Sequence, residues 1–193
     1  MKQNRTVRWR FRASGMTLIE VLIVVVIVGI IASLAAPSFT GGVGTARVTG
    51  AAEALYAHLQ LARSEAVKRN TPITVSFNAA AWCAGMIAGT AACDCTETVT
   101  SESDYCGLDM GGTMTAQLVT GNAFQGVTMA ANPFTNGNTT IDNVRGTANN
   151  GSVCLTSSDG KVLRVSMSIL GRVSICESGG TSYTTYPACS TNC

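Results

Sequence analysis

The feature that most constrains this chain is an apolar run at residues 16–36, in which Glu20 is the single charged residue. As an α-helix this run of 21 residues would be about 30 Å long, which matches the hydrocarbon core of a bilayer. Five basic residues and no acidic residue precede Gly15, and such an excess of positive charge stays on the cytoplasmic side of a membrane. The sequence therefore predicts a membrane-spanning helix whose N-terminus is cytoplasmic.

Glu20 is the unusual residue of this run. A carboxylate within the hydrocarbon layer is costly unless it is neutralised or paired, so its presence indicates a function. Two simpler interpretations leave it unexplained. One is an ordinary membrane anchor, and the other is a secretory signal peptide cut after the small residues 32–36, which would release a soluble Sec-exported periplasmic protein.

The start of the chain combines a basic leader with four residues at characteristic positions, Gly15, Met16, Glu20 and Pro37. This combination resembles the class III signal of type IV pilins and type II secretion pseudopilins. The resemblance implies that residues 1–15 are a cytoplasmic prepilin leader. It also implies that prepilin peptidase cuts between Gly15 and Met16 and methylates the new α-amine of Met16, where the family more commonly has Phe.

The resemblance gives Glu20 and Pro37 roles in filament assembly. The ammonium group at the N-terminus of a neighbouring subunit would neutralise Glu20 inside a filament, so the buried charge would set the register between subunits. Pro37 has no N–H to donate and its ring clashes with the preceding turn, which predicts a kinked or loosened helix at that residue.

Residues 37–70 are predicted to form a linker followed by an amphipathic helix. The glycine-rich residues 40–44 predict a bend, where helical continuity is interrupted. Apolar residues then recur at spacings of three and four, which predicts a helix buried along one face. They are Val48, Ala52, Leu55, Leu59, Ala62 and Ala66. The helix is predicted to end near Asn70, because Thr71 precedes Pro72 and is disfavoured in helical geometry.

Residues 71–193 are predicted to form a β-rich periplasmic domain. Residues 73–77 alternate apolar and polar side chains, as a half-buried strand does. Residues 79–112 predict a long cysteine-rich loop, and residues 178–193 a tail rich in Ser, Thr and Gly. Further short strands are predicted around residues 113–119, 124–129, 153–156, 162–167 and 172–176, with a hairpin turn at residues 157–160.

Two further segments resemble the GspH/FimT family of minor pilins and pseudopilins. Residues 59–77, which contain the run ARSEA, resemble the helix end and first strand of that family. Residues 168–176, SILGRVSIC, resemble its C-terminal GRV element, and Trp82 and Gly85 resemble its W-x-x-G start of a strand. The predicted fold is therefore α+β and pilin-like, with a long N-terminal transmembrane and amphipathic helix packed on an antiparallel β-sheet and braced by disulfides.

The eight cysteines fall into two groups along the chain. They are Cys83, Cys93, Cys95 and Cys106, and then Cys154, Cys176, Cys189 and Cys193. In an exported chain an even number predicts disulfides, and no histidine lies near Cys93 and Cys95, so no metal site is predicted. Four cysteines allow three pairings, which residue spacing leaves open. The family resemblance implies that Cys189 or Cys193 joins a strand cysteine such as Cys154.

The residue pattern predicts that the chain is not an enzyme. His58 is the one histidine, and no serine or cysteine nucleophile pairs with it recognisably, so a surface or packing role is predicted. The sequence contains no P-loop, dinucleotide fingerprint or paired catalytic carboxylates. No cofactor is predicted.

DNA is considered as a further partner because FimT-type members linked to DNA uptake carry a G-R-x-R pattern. Here Arg172 is present, but Ser174 occupies the place of the second arginine. Arg172, Arg164 and Lys161 are the candidate DNA-binding residues. The chain from Met16 onward has eight basic and eleven acidic residues, a formal net charge of −3. Because each neutralised phosphate needs a cation, DNA binding is a minor expectation.

The sequence as a whole predicts a structural subunit, a minor pilin or pseudopilin that assembles into a type IV pilus and helps to initiate it, in support of twitching motility and adhesion. Three alternatives stay open: a GspH-like pseudopilin of type II secretion, a FimT-like DNA-binding subunit for natural transformation, and the Sec-exported protein. Expected partners are other pilins or pseudopilins and prepilin peptidase. The expected location is the bacterial inner membrane, with the C-terminal domain in the periplasm, and then the pilus or pseudopilus.

Mass spectrometry of the mature protein from membranes tests the predicted processing. We expect a chain that begins with N-methylated Met16, because cleavage after Gly15 and methylation follow from the class III signal. An intact Met1 would contradict cleavage, and a start near Pro37 would indicate a secretory signal peptide instead.

Overall fold

A computed structural model describes residues 15–132, 134–179, 184–191 and 193, without the side chains of residues 34–41, 131, 132 and 135. Apart from Gly15, the predicted leader lies outside these residues. The chain divides into two compact units, residues 1–40 and residues 41–193.

The described residues form one long helix followed by ten short strands. Their bounds are α1 Leu18–Arg69, β1 Ile73–Asn78, β2 Cys83–Ala88, β3 Gly107–Asp109, β4 Met114–Ala116, β5 Leu118–Thr120, β6 Val127–Asn132, β7 Asn138–Ile141, β8 Gly151–Ser157, β9 Val162–Met167 and β10 Val173–Ser178.

Helix α1 continues through Pro37 and residues 40–44, where the sequence predicted an interruption. The predicted interruption at residues 40–44 was wrong, because each glycine weakens a helix by only about 1 kcal/mol. The kink predicted at Pro37 stays a prediction. Gly44 has a packing reason instead. A Cβ at this position would lie 2.7 Å from Asp159 Oδ1 in the β8–β9 turn. Glycine therefore lets that turn approach the helix.

Within the residues that can be assessed, no helix combines the length and the hydropathy that crossing a membrane requires. The predicted span at residues 16–36 includes residues 34–36, whose side chains are outside the described set.

The strands form two four-stranded antiparallel sheets and a separate β3–β4 hairpin pair. The first sheet has the order β5-β2-β1-β7 and the second the order β10-β9-β8-β6. The predicted antiparallel architecture is confirmed, although the sequence predicted one sheet.

Strands β2 and β3 lie inside the predicted loop 79–112, and β7 was not predicted. Strand β2 is rich in Ala, Gly and Cys and so lacks the β-branched alternation on which strand prediction depends, whereas β3 and β7 have only three and four residues.

The predicted apolar stripe of α1 lies in the hydrophobic core. All six of its residues are buried, namely Val48, Ala52, Leu55, Leu59, Ala62 and Ala66. The core cluster also contains Ile73 and Val75 of the first sheet and Leu155 and Val165 of the second. The stripe is therefore covered by both sheets.

A charged cluster at the end of α1 joins the helix to strand β3. Arg69 Nε donates to Glu65 Oε2 at 2.7 Å, and Lys68 Nζ lies 3.2 Å from Glu65 Oε1. The hydrogen bond from Arg69 is the main reason that the pKa of Glu65 lies below its usual value. Arg69 Nη1 also donates to the carbonyl of Asp109 at 2.8 Å, which joins the helix end to β3.

Strand β1 is buried on both faces, although its alternation predicted a half-buried strand. Thr74 Oγ1 donates to the carbonyl of Gly89 at 2.8 Å, and Ser76 Oγ accepts the N–H of Cys93 at 2.9 Å. The second hydrogen bond shows why the prediction was wrong: the cysteine-rich segment covers the face that would otherwise meet solvent. Disulfides Cys83–Cys95 and Cys93–Cys106 hold that segment in place.

The C-terminal tail is fastened to the second sheet by two further disulfides, Cys154–Cys193 and Cys176–Cys189. The first of these joins a strand cysteine to a C-terminal one, as the family resemblance implied. Backbone bonds support the attachment, since Glu177 N donates to the carbonyl of Pro187 at 2.9 Å and Cys189 N to that of Glu177 at 2.8 Å. All eight cysteines are therefore paired, and each pair stays within its sequence group.

His58 lies on the buried side of α1 with 7% of its surface exposed. Its Nε2 atom has no hydrogen-bond partner among the described residues. Burial disfavours the charged imidazolium and lowers the pKa of His58 from 6.5 to about 4. His58 is thus a neutral packing residue.

Acidification should destabilise the domain through His58. Between the folded pKa of about 4 and the unfolded value of 6.5, the unfolded state binds more protons, so stability falls as the pH drops below the unfolded value. The expected loss near pH 5 is about 2 kcal/mol. Thermal unfolding of the full chain in detergent, followed by circular dichroism over this pH range, measures it.

The matched control is His58→Leu, which should flatten the pH dependence even if it changes stability at neutral pH. An unchanged slope in this variant would assign the pH dependence to other groups.

Candidate functional site

The N-terminus of α1 carries the predicted processing and assembly residues. Gly15 and Met16 are exposed. Thr17 caps the helix: its Oγ1 accepts the N–H of Glu20 at 3.3 Å, and its carbonyl accepts the N–H of Val21 at 3.3 Å. Thr17 and Glu20 therefore stand in the T-x-x-E spacing of a capping box.

This geometry gives Glu20 a local role that the sequence interpretation missed. An acidic side chain in the first turn is stabilised by the positive end of the helix dipole. The signal was present in the sequence as a threonine three residues before a glutamate. Glu20 therefore has two possible roles, one in stabilising the start of its own helix and one through its charge between subunits.

The helix surface around Glu20 is apolar and unprotected. Every described side chain of residues 15–33 is exposed, and most of these residues are Val, Ile or Leu. None of the ion pairs found among the described residues involves Glu20. A helix that is apolar on all sides is normally covered by lipid or by protein. This part of α1 can therefore bind lipid or the helices of other subunits.

Pro37 was predicted to act in assembly together with Glu20. Its backbone is helical, and its side chain is outside the described set. Its predicted role remains a prediction.

The three candidate DNA-binding residues differ in their surroundings. Lys161 Nζ lies 3.0 Å from Asp159 Oδ2 and also donates to Thr45 Oγ1, so it fastens the β8–β9 turn to α1. Arg164 lies beneath the tail, where Nη1 donates to the carbonyl of Thr191 at 2.9 Å. Both cations therefore have structural partners that DNA would have to displace.

Arg172 is exposed at the start of β10. It lines a cleft of about 630 Å³ with Arg164, Ser166 and Ser174. The two serine hydroxyls are hydrogen bonded to each other at 2.9 Å. The cleft thus has two arginines at its wall, one of them already engaged by the tail.

The described residues offer little for catalysis or metal binding. No group of three or more His, Cys, Asp or Glu side chains is placed to hold a metal ion in the part of the chain that could be searched. Asp159 has a lowered pKa, chiefly because it accepts a hydrogen bond from Ser157, and its carboxylate serves the β8–β9 turn.

Comparison with sequence families gives two matches. Residues 51–171, more than half of the chain, match the family described as "Type II transport protein GspH". Residues 10–36 match the "Prokaryotic N-terminal methylation motif". No curated protein sequence matches the chain significantly.

Two solved structures resemble the fold at low identity. The minor pseudopilin EpsH from the type 2 secretion system of Vibrio cholerae has 11% identity and a TM-score of 0.46, over 68% of this chain and 97% of that one. The type IV minor pilin FimU of Pseudomonas aeruginosa has 20% identity and a TM-score of 0.44, over 66% of this chain and 87% of that one.

Proposed function

The chain belongs to the type II transport protein GspH family, and from that premise we propose that it is a structural subunit of an exported filament. In this proposal it is a minor pilin or pseudopilin whose N-terminal helix is held first in the bacterial inner membrane and then in the filament core. Its disulfide-braced domain lies in the periplasm before assembly and contacts neighbouring subunits afterwards.

The observation that carries this proposal is the difference in burial between the two parts of α1. Residues 15–33 expose an apolar surface on all sides, whereas the stripe from Val48 to Ala66 is buried beneath the two sheets. A helix with one end satisfied by its own domain and the other end bare needs an external apolar environment. A bilayer and the helical core of a filament both provide one.

Processing by prepilin peptidase is part of the proposal. The methylation motif spans residues 10–36 and so includes Gly15 and Met16, which are exposed at the start of α1. Cleavage between them would create an α-amine four residues before Glu20. The four disulfides support an oxidising compartment such as the periplasm for the domain.

In the assembled filament we assign Glu20 a charge role in addition to capping its own helix. The methylated ammonium of one subunit would lie against the carboxylate of a neighbour, and an unpaired charge in the apolar core would be strongly unfavourable. The pair would therefore favour one register between subunits. DNA binding is not part of the proposal, because Lys161 and Arg164 already have partners within the chain.

We assign the subunit to a type IV pilus, as the sequence predicted. The description of the matched family names type II transport, which makes the type II secretion pseudopilus the second candidate. Both filaments require the same anchor and the same kind of domain, so the genetic readout has to separate them.

Deletion of the gene should abolish twitching motility and leave enzyme secretion intact, because a missing initiating subunit blocks only its own filament. Colony spreading and secreted enzyme activity are measured in the same strain, with the gene restored in trans as the control. Loss of secretion with normal twitching would assign the chain to the pseudopilus.

The role of Glu20 in assembly is tested by two substitutions with different effects on capping. Glu20→Ala removes both the charge and the capping side chain, whereas Glu20→Gln removes the charge and keeps a residue that suits a capping box. We expect both variants to insert into the membrane normally. Both should be incorporated into sheared filaments about tenfold less than the wild type or lower still, because the neighbouring ammonium loses its partner.

The ratio of subunit in filaments to subunit in membranes, determined by immunoblot, measures incorporation. Thr17→Ala is the matched control, since it removes the cap hydrogen bond and leaves the charge, and it should reduce incorporation only slightly. Normal incorporation of Glu20→Gln together with poor incorporation of Glu20→Ala would show that capping, and not charge, is the function of this residue.

A further inference from the structure

Two loops of the domain are packed against each other at the end of the β9–β10 hairpin. Gly171 lies so close to Gly146 that a Cβ at Gly171, where φ is +70°, would collide with the carbonyl oxygen of Gly146. Ala148 N donates to the carbonyl of Ile169 at 3.0 Å. The turn at residues 168–172 and the loop at residues 142–147 therefore form one preorganised surface.

The side chains at the tips of these loops have unusual exposure. Val144, Ile169 and Leu170 are 79%, 63% and 75% exposed, and they are the three most exposed large apolar residues among the described side chains of residues 41–193. Arg145 and Arg172 are exposed beside them in sequence. We call these five residues the arginine–apolar patch.

The only acid within these two loops, Asp142, is occupied locally. Its Oδ1 atom accepts the N–H groups of Val144 at 3.0 Å and Arg145 at 2.8 Å. This carboxylate shapes the loop, and it forms no ion pair within the described part of the chain. The patch consequently presents apolar side chains and guanidinium groups together, which suits an acidic partner with an apolar residue of its own.

The same chain contains a segment of that chemistry. Residues 94–104, here called the acidic loop, carry four acidic residues and no basic one. They are Asp94, Glu97, Glu102 and Asp104. Val99 lies among them and is 49% exposed. Disulfides Cys83–Cys95 and Cys93–Cys106 hold the loop, so little conformational entropy would be lost on binding.

Among the described residues, the acidic loop and the arginine–apolar patch form no ion pair with each other within one molecule. The ion pairs among the described residues involve the carboxylates of Glu65 and Asp159, and none includes the acidic loop, Arg145 or Arg172. Asp94 and Glu97 accept hydrogen bonds within the acidic loop, as Asp142 does within its own loop. These bonds do not remove the charge, so each surface keeps a net charge, of opposite sign to the other. Complementary patches of this kind promote association and orient it.

We propose that the arginine–apolar patch of one molecule binds the acidic loop of a second copy of this chain. The contact joins two different surfaces, so it is heterologous and can be repeated from copy to copy. It concerns the domain and not the apolar part of α1, and it does not depend on which filament the subunit enters.

The test uses the full chain in detergent micelles and two charge-reversal variants. Arg145→Glu with Arg172→Glu makes the patch acidic, and Glu97→Lys, Glu102→Lys and Asp104→Lys together make the loop basic, because three lysines then outnumber Asp94. Analytical ultracentrifugation should show that the wild type self-associates at low salt and dissociates as salt rises. Each variant alone should self-associate about tenfold more weakly or worse, because like charges then face each other.

An equimolar mixture of the patch variant and the loop variant supplies the decisive measurement. The acidic patch of one variant then meets the basic loop of the other, and the unchanged patch and the unchanged acidic loop can also meet, so we expect association to return. This restoration shows that neither variant is misfolded. Leu170→Ser, which leaves all charges unchanged, should weaken wild-type association as well.

Association that is absent at low salt, or that neither reversal weakens, would overturn the proposal. So would a mixture that fails to associate. A preference of the wild type for phosphatidylglycerol over phosphatidylcholine vesicles that Arg145→Glu with Arg172→Glu abolishes, with no self-association, would overturn it in favour of an anionic lipid surface.

Discussion

The fold depends on covering the apolar stripe of α1. From Val48 to Ala66 the helix buries one face of small and branched residues in the same core cluster as residues of both sheets. The turn between β8 and β9 reaches the helix because Gly44 has no Cβ. Once this face is covered, the positions of the tail, the cysteine-rich segment and both loops at the β9–β10 end are determined by the strands to which they attach.

The outer faces of the sheets are covered by covalently tied segments instead of by further helices. The cysteine-rich segment covers β1, and the tail covers β9 at Arg164. Small exported domains commonly use disulfides where the core alone is modest. The arrangement leaves one face of α1 and the acidic loop available, which is consistent with a molecule whose work is contact with other subunits.

The sequence was informative where periodicity or motif spacing reports a physical requirement. The stripe on α1, strands β8 to β10 and the processing signal all follow from such patterns. The start of β2 was indicated only by the family resemblance at Trp82 and Gly85, because its Ala- and Gly-containing sequence is extended through pairing across the sheet and not through intrinsic propensity. Strands β3 and β7 were missed because they have only three and four residues. The burial of Thr74 and Ser76 could not be foreseen, since it depends on a disulfide-held segment distant in sequence. The T-x-x-E spacing of Thr17 and Glu20 also predicts the cap, but the sequence interpretation of Glu20 considered only its charge.

Strand β9 separates the two cysteines of the second sheet. In the register of that sheet Cys154 lies opposite Arg164, and Arg164 lies opposite Cys176. The two cysteines are thus two strand spacings apart, about 10 Å, which is too far for a disulfide between them. Oxidation after the sheet has formed cannot join Cys154 to Cys176, whereas oxidation before β9 is inserted could link them to each other. Formation of the sheet before oxidation thus removes one of the three pairings open to this group of cysteines and directs both strand cysteines toward the tail.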